Sequence, residues 1–212
     1  REGITGIDKS MIDAARGAGY VVKLLAVCER LVEGGEEAIS VRVYPALVER
    51  SHPLASVHGA NNAVFVQAEA AGDLMFYGAG AGGVQTASAV LGDLVSAARR
   101  HIAGGVGVAE STRANLPLLP IGHVSTRYQV TLEVADQTGV LATIAGIFSE
   151  GGVSVATVEQ TSAVGEDGTP TARLVIGTHT AREQDLSDTV DRLAASDVVT
   201  RVASVLRVEG SN

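Results

Sequence analysis

The residues best suited to chemistry fall in two glycine-centred turns. Gly78-Ala79-Gly80-Ala81-Gly82-Gly83 spells G-x-G-x-x-G between a short apolar strand and a helix-like run. Backbone N–H groups in such a turn, aimed along a helix N-terminus, can meet a phosphate. Asp136-Gln137-Thr138-Gly139-Val140-Leu141 spells D-x-x-G-V-L where a strand pattern gives way to a helix pattern. There Gly139 lets the backbone come close to a ligand, and the free N–H groups of the helix start suit a carboxylate. Asp136 either caps that helix or receives an ammonium group. Gly151-Gly152 breaks the same helix at its far end.

The remaining reactive residue types carry less. His52, before Pro53, either faces a cofactor cleft or satisfies backbone groups in its own turn, and Asn61 and Asn62 read as turn formers. Lys23 stands in an apolar run where burial would depress its pKa, against the simpler reading of a strand lysine with its stem packed and its head in water. Cys28, the single cysteine, follows Leu24 to Val27 and is expected to be a buried structural thiol. His101 and His179 have no cysteine or carboxylate at ligand spacing, so no metal site is expected. Ser51 and Ser88 lack a base or oxyanion signature.

Certain elements must position these groups. Asp8 or Ser10 caps a short helix, Met11 to Gly17. Tyr20 to Leu31 reads as a buried strand, and Ala38 to Ala46 alternates as a half-buried strand ending at Pro45. Asn62 to Ala70 and Asp73 to Tyr77 flank Ala71-Gly72-Asp73 as a hairpin. Thr86 to Ile102 is an amphipathic helix with Val90, Leu91, Leu94, Val95 and Ala98 on its apolar face. Residues 104–122, rich in glycine and proline, form a linker whose Leu116 to Leu119 could lie against either neighbour. From 124 to 209 the pattern runs strand (Arg127 to Val134), helix (Val140 to Ser149), strand (Val153 to Thr161), a tip at Gly165 to Pro170, strand (Ala172 to His179), helix (Glu183 to Ala195) and strand (Val198 to Val208). That order is βαββαβ, a ferredoxin-like split unit.

This context weakens the dinucleotide reading of the first turn. A dinucleotide turn follows a parallel strand and has an acidic partner closing the next one, about 20 residues on. Here the preceding strand is a hairpin arm, and Asp93 lies inside the helix. Gly78 to Gly83 are therefore not a primary cofactor cradle.

Bulk composition narrows the class. A chain of 212 residues, 46% hydrophobic and 3% aromatic, can fill one large or two small cores with aliphatic side chains. The net charge of −8 and the lack of any basic block argue against a nucleic-acid partner. No stretch approaches the roughly 20 apolar residues of a membrane span, and a cytoplasmic setting is expected. The opening Arg1-Glu2-Gly3-Ile4, without an initiator Met, suggests a piece of a longer polypeptide.

The βαββαβ order with Asp136 to Leu141 resembles an ACT domain, with Thr138 in place of the usual proline. That resemblance implies binding of a small amino-acid effector, usually where two copies pack side by side, by Asp136, Gln137, Thr138, Gly139, Val140, Leu141 and Gly152. The first segment resembles the C-terminal half of the catalytic region of homoserine dehydrogenase. Glu2-Gly3-Ile4 with Gly19 to Ala26 carries the likeness, together with His52-Pro53-Leu54-Ala55 and its followers Val57, Gly59, Asn62 and Ala63. Tyr77 to Gly83 with Thr86 to Val90 and Gly92-Asp93-Leu94 completes it.

The resemblance implies an α/β (α+β) fold: a mixed-sheet substrate and dimerisation domain over 1–103, the linker 104–122, and an ACT regulatory domain over 123–212. It implies NADPH- or NADH-dependent reduction of aspartate 4-semialdehyde to homoserine in threonine and methionine biosynthesis, inhibited by L-threonine, in a homodimer or homotetramer. The family's catalytic Asp/Lys motif, cation site and most of the NADP or NAD contacts are expected before Arg1, so no catalytic residue is assigned. Asp13 has Gly17, not lysine, four positions on. Gly82, with Gly80, is the expected edge contact to the cofactor, and His52 a possible active-site wall. The other reading is a non-catalytic amino-acid-binding or dimerisation module.

Overall fold

The computed structural model describes residues 1–104, 115–164 and 170–210. The expected tip at Gly165 to Pro170, save Pro170 itself, and most of the glycine-rich part of the linker lie outside them. Two compact units result: residues 1–49 with 116–212, and residues 50–115.

In the larger unit, Asp8 caps helix α1 (Lys9–Gly17), its carboxylate accepting from the Met11 N–H at 2.9 Å. Strands β1 (Tyr20–Glu33) and β2 (Glu36–Glu49) form a long hairpin closed by Gly34-Gly35. β1 is not a buried strand: it lies at the sheet edge, and alternate side chains, including Leu24 and Val32, stand in the open. Cys28 is accordingly exposed rather than buried. An unbroken apolar run carries no period, so a strand covered on one face looks like one covered on both. Nor does Pro45 end β2. The second partner of β2 pairs only from Ala46 onward, so the proline sits where one flank of the strand needs no ladder donor.

The C-terminal part contributes β5 (Ser125–Ala135), α3 (Val140–Glu150), β6 (Val155–Val164), β7 (Pro170–Thr178), the two-residue β8 (Ala181–Arg182), α4 (Glu183–Ala194) and β9 (Val199–Glu209). The sheet order is β1-β2-β9-β5-β7-β6, with β8 paired to β5. Its β9-β5-β7-β6 portion with α3 and α4 is the expected βαββαβ unit. β2 and β9 pair in parallel over Ala46–Val48 and Arg207–Glu209, the other described strand pairs of this sheet are antiparallel, and Ile39 makes a single parallel bridge to Leu118. One sheet thus joins the first hairpin to the C-terminal unit across the expected linker. Leu116 to Leu119 lies against the hairpin: Ile39 donates to the Pro117 carbonyl and Leu119 to the Ile39 carbonyl, both at 2.9 Å.

The core sits between that sheet and its helices. Val130, Leu132 and Val134 of β5 alternate inward with Leu174 and Ile176 of β7, and meet Ile144 and Phe148 of α3 and Leu186 and Leu193 of α4. Burying a side chain of this size contributes about 1.5–3 kcal/mol. A second cluster packs Ala15 of α1 on Leu47 and Leu206.

The smaller unit holds a 3-10 turn (Pro53–Ser56), the hairpin β3 (Asn61–Ala68) and β4 (Gly72–Ala79), and α2 (Gly83–Ala103). The hairpin and helix fall where expected, but the helix does not bury its apolar face. Leu94 is 62% exposed, and within this unit Ala55 is the one buried residue among those described. Amphipathic spacing marks a face built for cover without supplying the cover. No helix among the described residues is long and apolar enough to cross a membrane.

Candidate functional site

The Asp136–Leu141 turn joins β5 to α3. Asp136 N–H donates to the Pro170 carbonyl at 3.2 Å and Gln137 N–H to the Ala135 carbonyl at 3.0 Å, which directs the chain off the sheet. Gly139, not Asp136, is the N-cap. Its φ of +91° is left-handed, and no side chain caps the helix. The turn places Gly139 between Asp136 and the first helical residue, so the aspartate lies too far back to cap. The first bond of the helix runs from Thr143 N–H to the Gly139 carbonyl at 3.0 Å, reinforced by the Thr143 hydroxyl at 3.2 Å. The N–H groups of Val140, Leu141 and Ala142 precede that bond. As N–H donors at the positive end of the helix dipole, they have the chemistry that suits a carboxylate.

Asp136, Gln137, Thr138 and Gly139 are exposed, Val140 is buried against the core, and Leu141 is exposed. Six of the seven expected effector residues are therefore contiguous. Gly152 is not among them, because it lies beyond the other end of α3. Eleven residues of helix at 1.5 Å each put it roughly 16 Å away.

The other glycine turn links β4 to α2. Gly80 N–H donates to the Ala60 carbonyl at 2.9 Å, and a Cβ at Gly80 would run into the Asn62 side-chain amide. A larger residue there would oblige the Asn62 amide to move. Gly82 is the N-cap of α2 with φ +138° and no side-chain cap, and a Cβ there would meet the Gln85 side chain. An open apolar groove along Gly82, Gly83, Thr86, Ala87, Val90 and Leu91 follows the start of α2. The preceding strand belongs to a two-stranded antiparallel sheet, which is not the setting of a dinucleotide cradle.

His52 satisfies its own turn. Its Nδ1 accepts from Leu54 N–H at 3.2 Å, and its ring meets Phe65 edge-on at 4.7 Å. Asn61 donates to the His58 carbonyl at 3.2 Å, the expected turn role. Lys23 is half-buried on β1 opposite Ala46. No cluster of three potential metal ligands occurs among the described residues.

One group of residues escaped the motifs altogether. Arg207 of β9 is 9% exposed, and its Nε donates to Glu183 Oε1 at 2.8 Å. Its Nη1 and Nη2 each reach the Glu2 carboxylate at 2.8 Å. Its guanidinium lies 4.5 Å from the Tyr44 ring centre and 5.5 Å from that of Tyr128. Burial works against the Arg207 charge, but the hydrogen bonds it donates to Glu2 and Glu183 overcome it and raise its pKa. Arg207 in turn lowers the Glu2 carboxyl. The only advance signal was an arginine inside the apolar run Val205-Leu206-Arg207-Val208.

Residues 1–95 match the family model for homoserine dehydrogenase and residues 128–197 that for the ACT domain. The homoserine dehydrogenase of Corynebacterium glutamicum is 52% identical over 209 residues, covering 98% of this chain and 46% of the relative. That of Mycobacterium leprae is 54% identical over 212 residues, covering 99% and 48%. The crystal structure of a homoserine dehydrogenase from Thiobacillus denitrificans aligns with a TM-score of 0.84 at 31% identity, over 98% of this chain and 46% of that one. The chain spans about half the length of the curated relatives it matches.

Proposed function

Because the chain belongs to the homoserine dehydrogenase family and carries an ACT domain, we propose that it works as the C-terminal part of an enzyme reducing L-aspartate 4-semialdehyde to L-homoserine. L-threonine inhibits that enzyme through the Asp136–Leu141 turn. Residues 1–103 supply the C-terminal part of the catalytic region, 104–122 the linker and 123–212 the regulatory domain. The working protein is a cytoplasmic homodimer or homotetramer in threonine and methionine biosynthesis.

The observation that carries the effector reading is the uncapped start of α3, introduced by a left-handed glycine and preceded by an exposed aspartate. The α-carboxylate of an amino acid takes the free N–H groups of Val140 to Ala142, and its ammonium group takes Asp136. Gly152 is too far to join this set from the same chain. A second copy packed beside the first would deliver it.

NADPH or NADH, when bound, supplies the hydride. The chain's own contribution is an edge contact: the uncapped start of α2 at Gly82 offers N–H donors, while Gly80, held against Asn62, keeps the turn narrow. His52 stiffens the loop before β3 and forms one wall. The rest of the cofactor cradle and the proton donor to the carbonyl oxygen are assigned to the other half of the relatives' length.

A second reading keeps only the regulatory module. It is favoured by the contrast between the well-filled core of the larger unit and the single buried residue among those described in the smaller. Two measurements decide. Dehydrogenase activity of the full-length protein with homoserine and NADP or NAD is expected, and its absence leaves the regulatory module alone. Calorimetry should give heat with L-threonine and none with isoleucine or lysine. No heat with threonine under dimer-forming conditions defeats the effector reading.

A further inference from the structure

The geometry points to Arg207 as the residue that makes the β1–β2 hairpin and the ACT domain one cooperative unit, and through which occupancy of the effector turn is felt in the hairpin. The second half of this statement rests on the effector reading above; the first does not.

The backbone seam between the two family modules is thin. β2 and β9 share three paired positions, beginning at Ala46 and Arg207. Side chains carry the rest of the junction: Leu47 packs on Leu206, Glu33 of β1 pairs with His123 and Arg182 at its exposed edge, and the buried polar contacts centre on Arg207. Glu2 and Tyr44 come from the segment matching homoserine dehydrogenase, Tyr128 and Glu183 from the segment matching the ACT domain. The Tyr128 hydroxyl donates to Glu183 Oε1 at 2.8 Å, which fixes the carboxylate that Arg207 uses. On the far side the Tyr44 hydroxyl donates to Glu209 and accepts from Arg42 Nε at 2.8 Å, and Arg42 Nη2 lies 2.8 Å from Glu29 of β1. The chain of contacts therefore runs from α4 through Arg207 to both strands of the hairpin.

Two features make this a coupling element rather than packing alone. Arg207 and Glu183 are desolvated, so displacing Arg207 leaves the Glu183 carboxylate buried and uncompensated, while displacing Glu183 leaves Arg207 held by Glu2 alone. Glu183 already has its Oε2 buried without a partner, which leaves little tolerance for a shift of α4. That helix is tied to the effector helix. Gly151, at the end of α3, approaches Thr189 of α4 so closely that a Cβ would strike the Thr189 hydroxyl, and Arg192 of α4 pairs with Glu150 of α3. A ligand that draws on α3 thus acts on α4, on Glu183, and then on Arg207. Contiguity of this kind is a route, and coupling must be measured on it.

The test is native-state hydrogen exchange of the full-length protein, with and without L-threonine, for wild type, Arg207→Met and Tyr128→Phe. Without threonine, wild-type amides of β1–β2 and of β5 and β7 should share one protection level. In Arg207→Met the hairpin amides should fall below those of β5 and β7 by about a hundredfold, the equivalent of unpairing a buried ion. If Arg207→Met does not fold, Tyr128→Phe, which removes one hydroxyl, should give the same split at about threefold to tenfold. Independent exchange of the hairpin in wild type, or an equal loss in both regions in the variants, overturns the proposal. Threonine should raise protection in α3 and in β1–β2 of wild type, but in α3 alone in the variants. Threonine protection of the hairpin that survives in the variants refutes the coupling role. If wild-type α3 gains no protection, the effector reading fails, and the threonine-free comparison still decides the cooperative unit.

Discussion

Replacing Gly139 separates two reasons for a glycine at the start of α3. Its φ of +91° costs an L-residue about 1–2 kcal/mol. Alanine recovers about 0.4–1 kcal/mol by restricting the unfolded chain. Gly139→Ala should therefore lower unfolding stability by about 1 kcal/mol in urea titrations, a factor near five in the folding equilibrium. Gly139→Asn should recover much of that, because asparagine tolerates the left-handed region.

Ligand affinity should not follow stability. Among the described residues, and apart from its chain neighbours, nothing lies within 4 Å of a Cβ built at Gly139, so the new group points into open space. On the proposed effector reading, that space is where the ligand's carboxylate would meet the N–H groups of α3. Both variants should lose threonine affinity by about tenfold or more in calorimetry, or about 1.4 kcal/mol. Asparagine should restore stability without restoring binding. Wild-type threonine affinity in both variants refutes the placement of the carboxylate. A Gly139→Ala protein as stable as wild type refutes the strain argument.

Alkaline pH tests the junction. Burial, with Glu209 beside Tyr44 and Glu183 beside Tyr128, raises both phenols above their ordinary value of 10.0. Above pH 10 the unfolded chain releases these protons while the folded one keeps them, so stability is full below that pH and falls as pH rises. At pH 11 the two together should cost about 3 kcal/mol, and Tyr44→Phe should remove about half of that slope in pH-dependent urea titrations; an unchanged slope counts against the assignment. Phe148→Ala, in the sheet-helix core, should cost about 3–5 kcal/mol, whereas Leu94→Gln should move stability of the 212-residue chain by less than about 0.5 kcal/mol. A large loss at Leu94 would mean that the α2 face is packed in this chain.

What could be read from the sequence was what has a local period or a local turn chemistry. The β3–β4 hairpin announced itself through Ala71-Gly72-Asp73, and the C-terminal unit through strand and helix periods in the order βαββαβ. Positions whose environment depends on distant cover were harder. The exposed side of β1 and Cys28, and the open face of α2, have the apolar composition of interior surfaces. Asp136 had the residue type of a cap, but the position of Gly139 took that role. The literal G-x-G-x-x-G lost its meaning once its strand proved to be one arm of a two-stranded sheet. His52 resolved toward its turn because Pro53 presents the Leu54 N–H to its ring.

The junction between the modules was illegible for a different reason. Parallel pairing of β2 with β9 joins residues more than 150 positions apart, and nothing near Ala46 or Arg207 encodes the partner. The family models stop at residue 95 and resume at 128, which describes modules strung along a chain. The sheet describes something else, because the last strand of the C-terminal unit is also the neighbour of the first hairpin. A flexible linker would let an effector-bound domain change without consequence for the hairpin. A shared strand with a buried arginine between two carboxylates does not, because moving β9 relative to β2 breaks ladder bonds and unpairs a desolvated charge together. On the proposed regulatory reading a joint that transmits strain is required, and among the described residues sheet pairing and buried charge supply one.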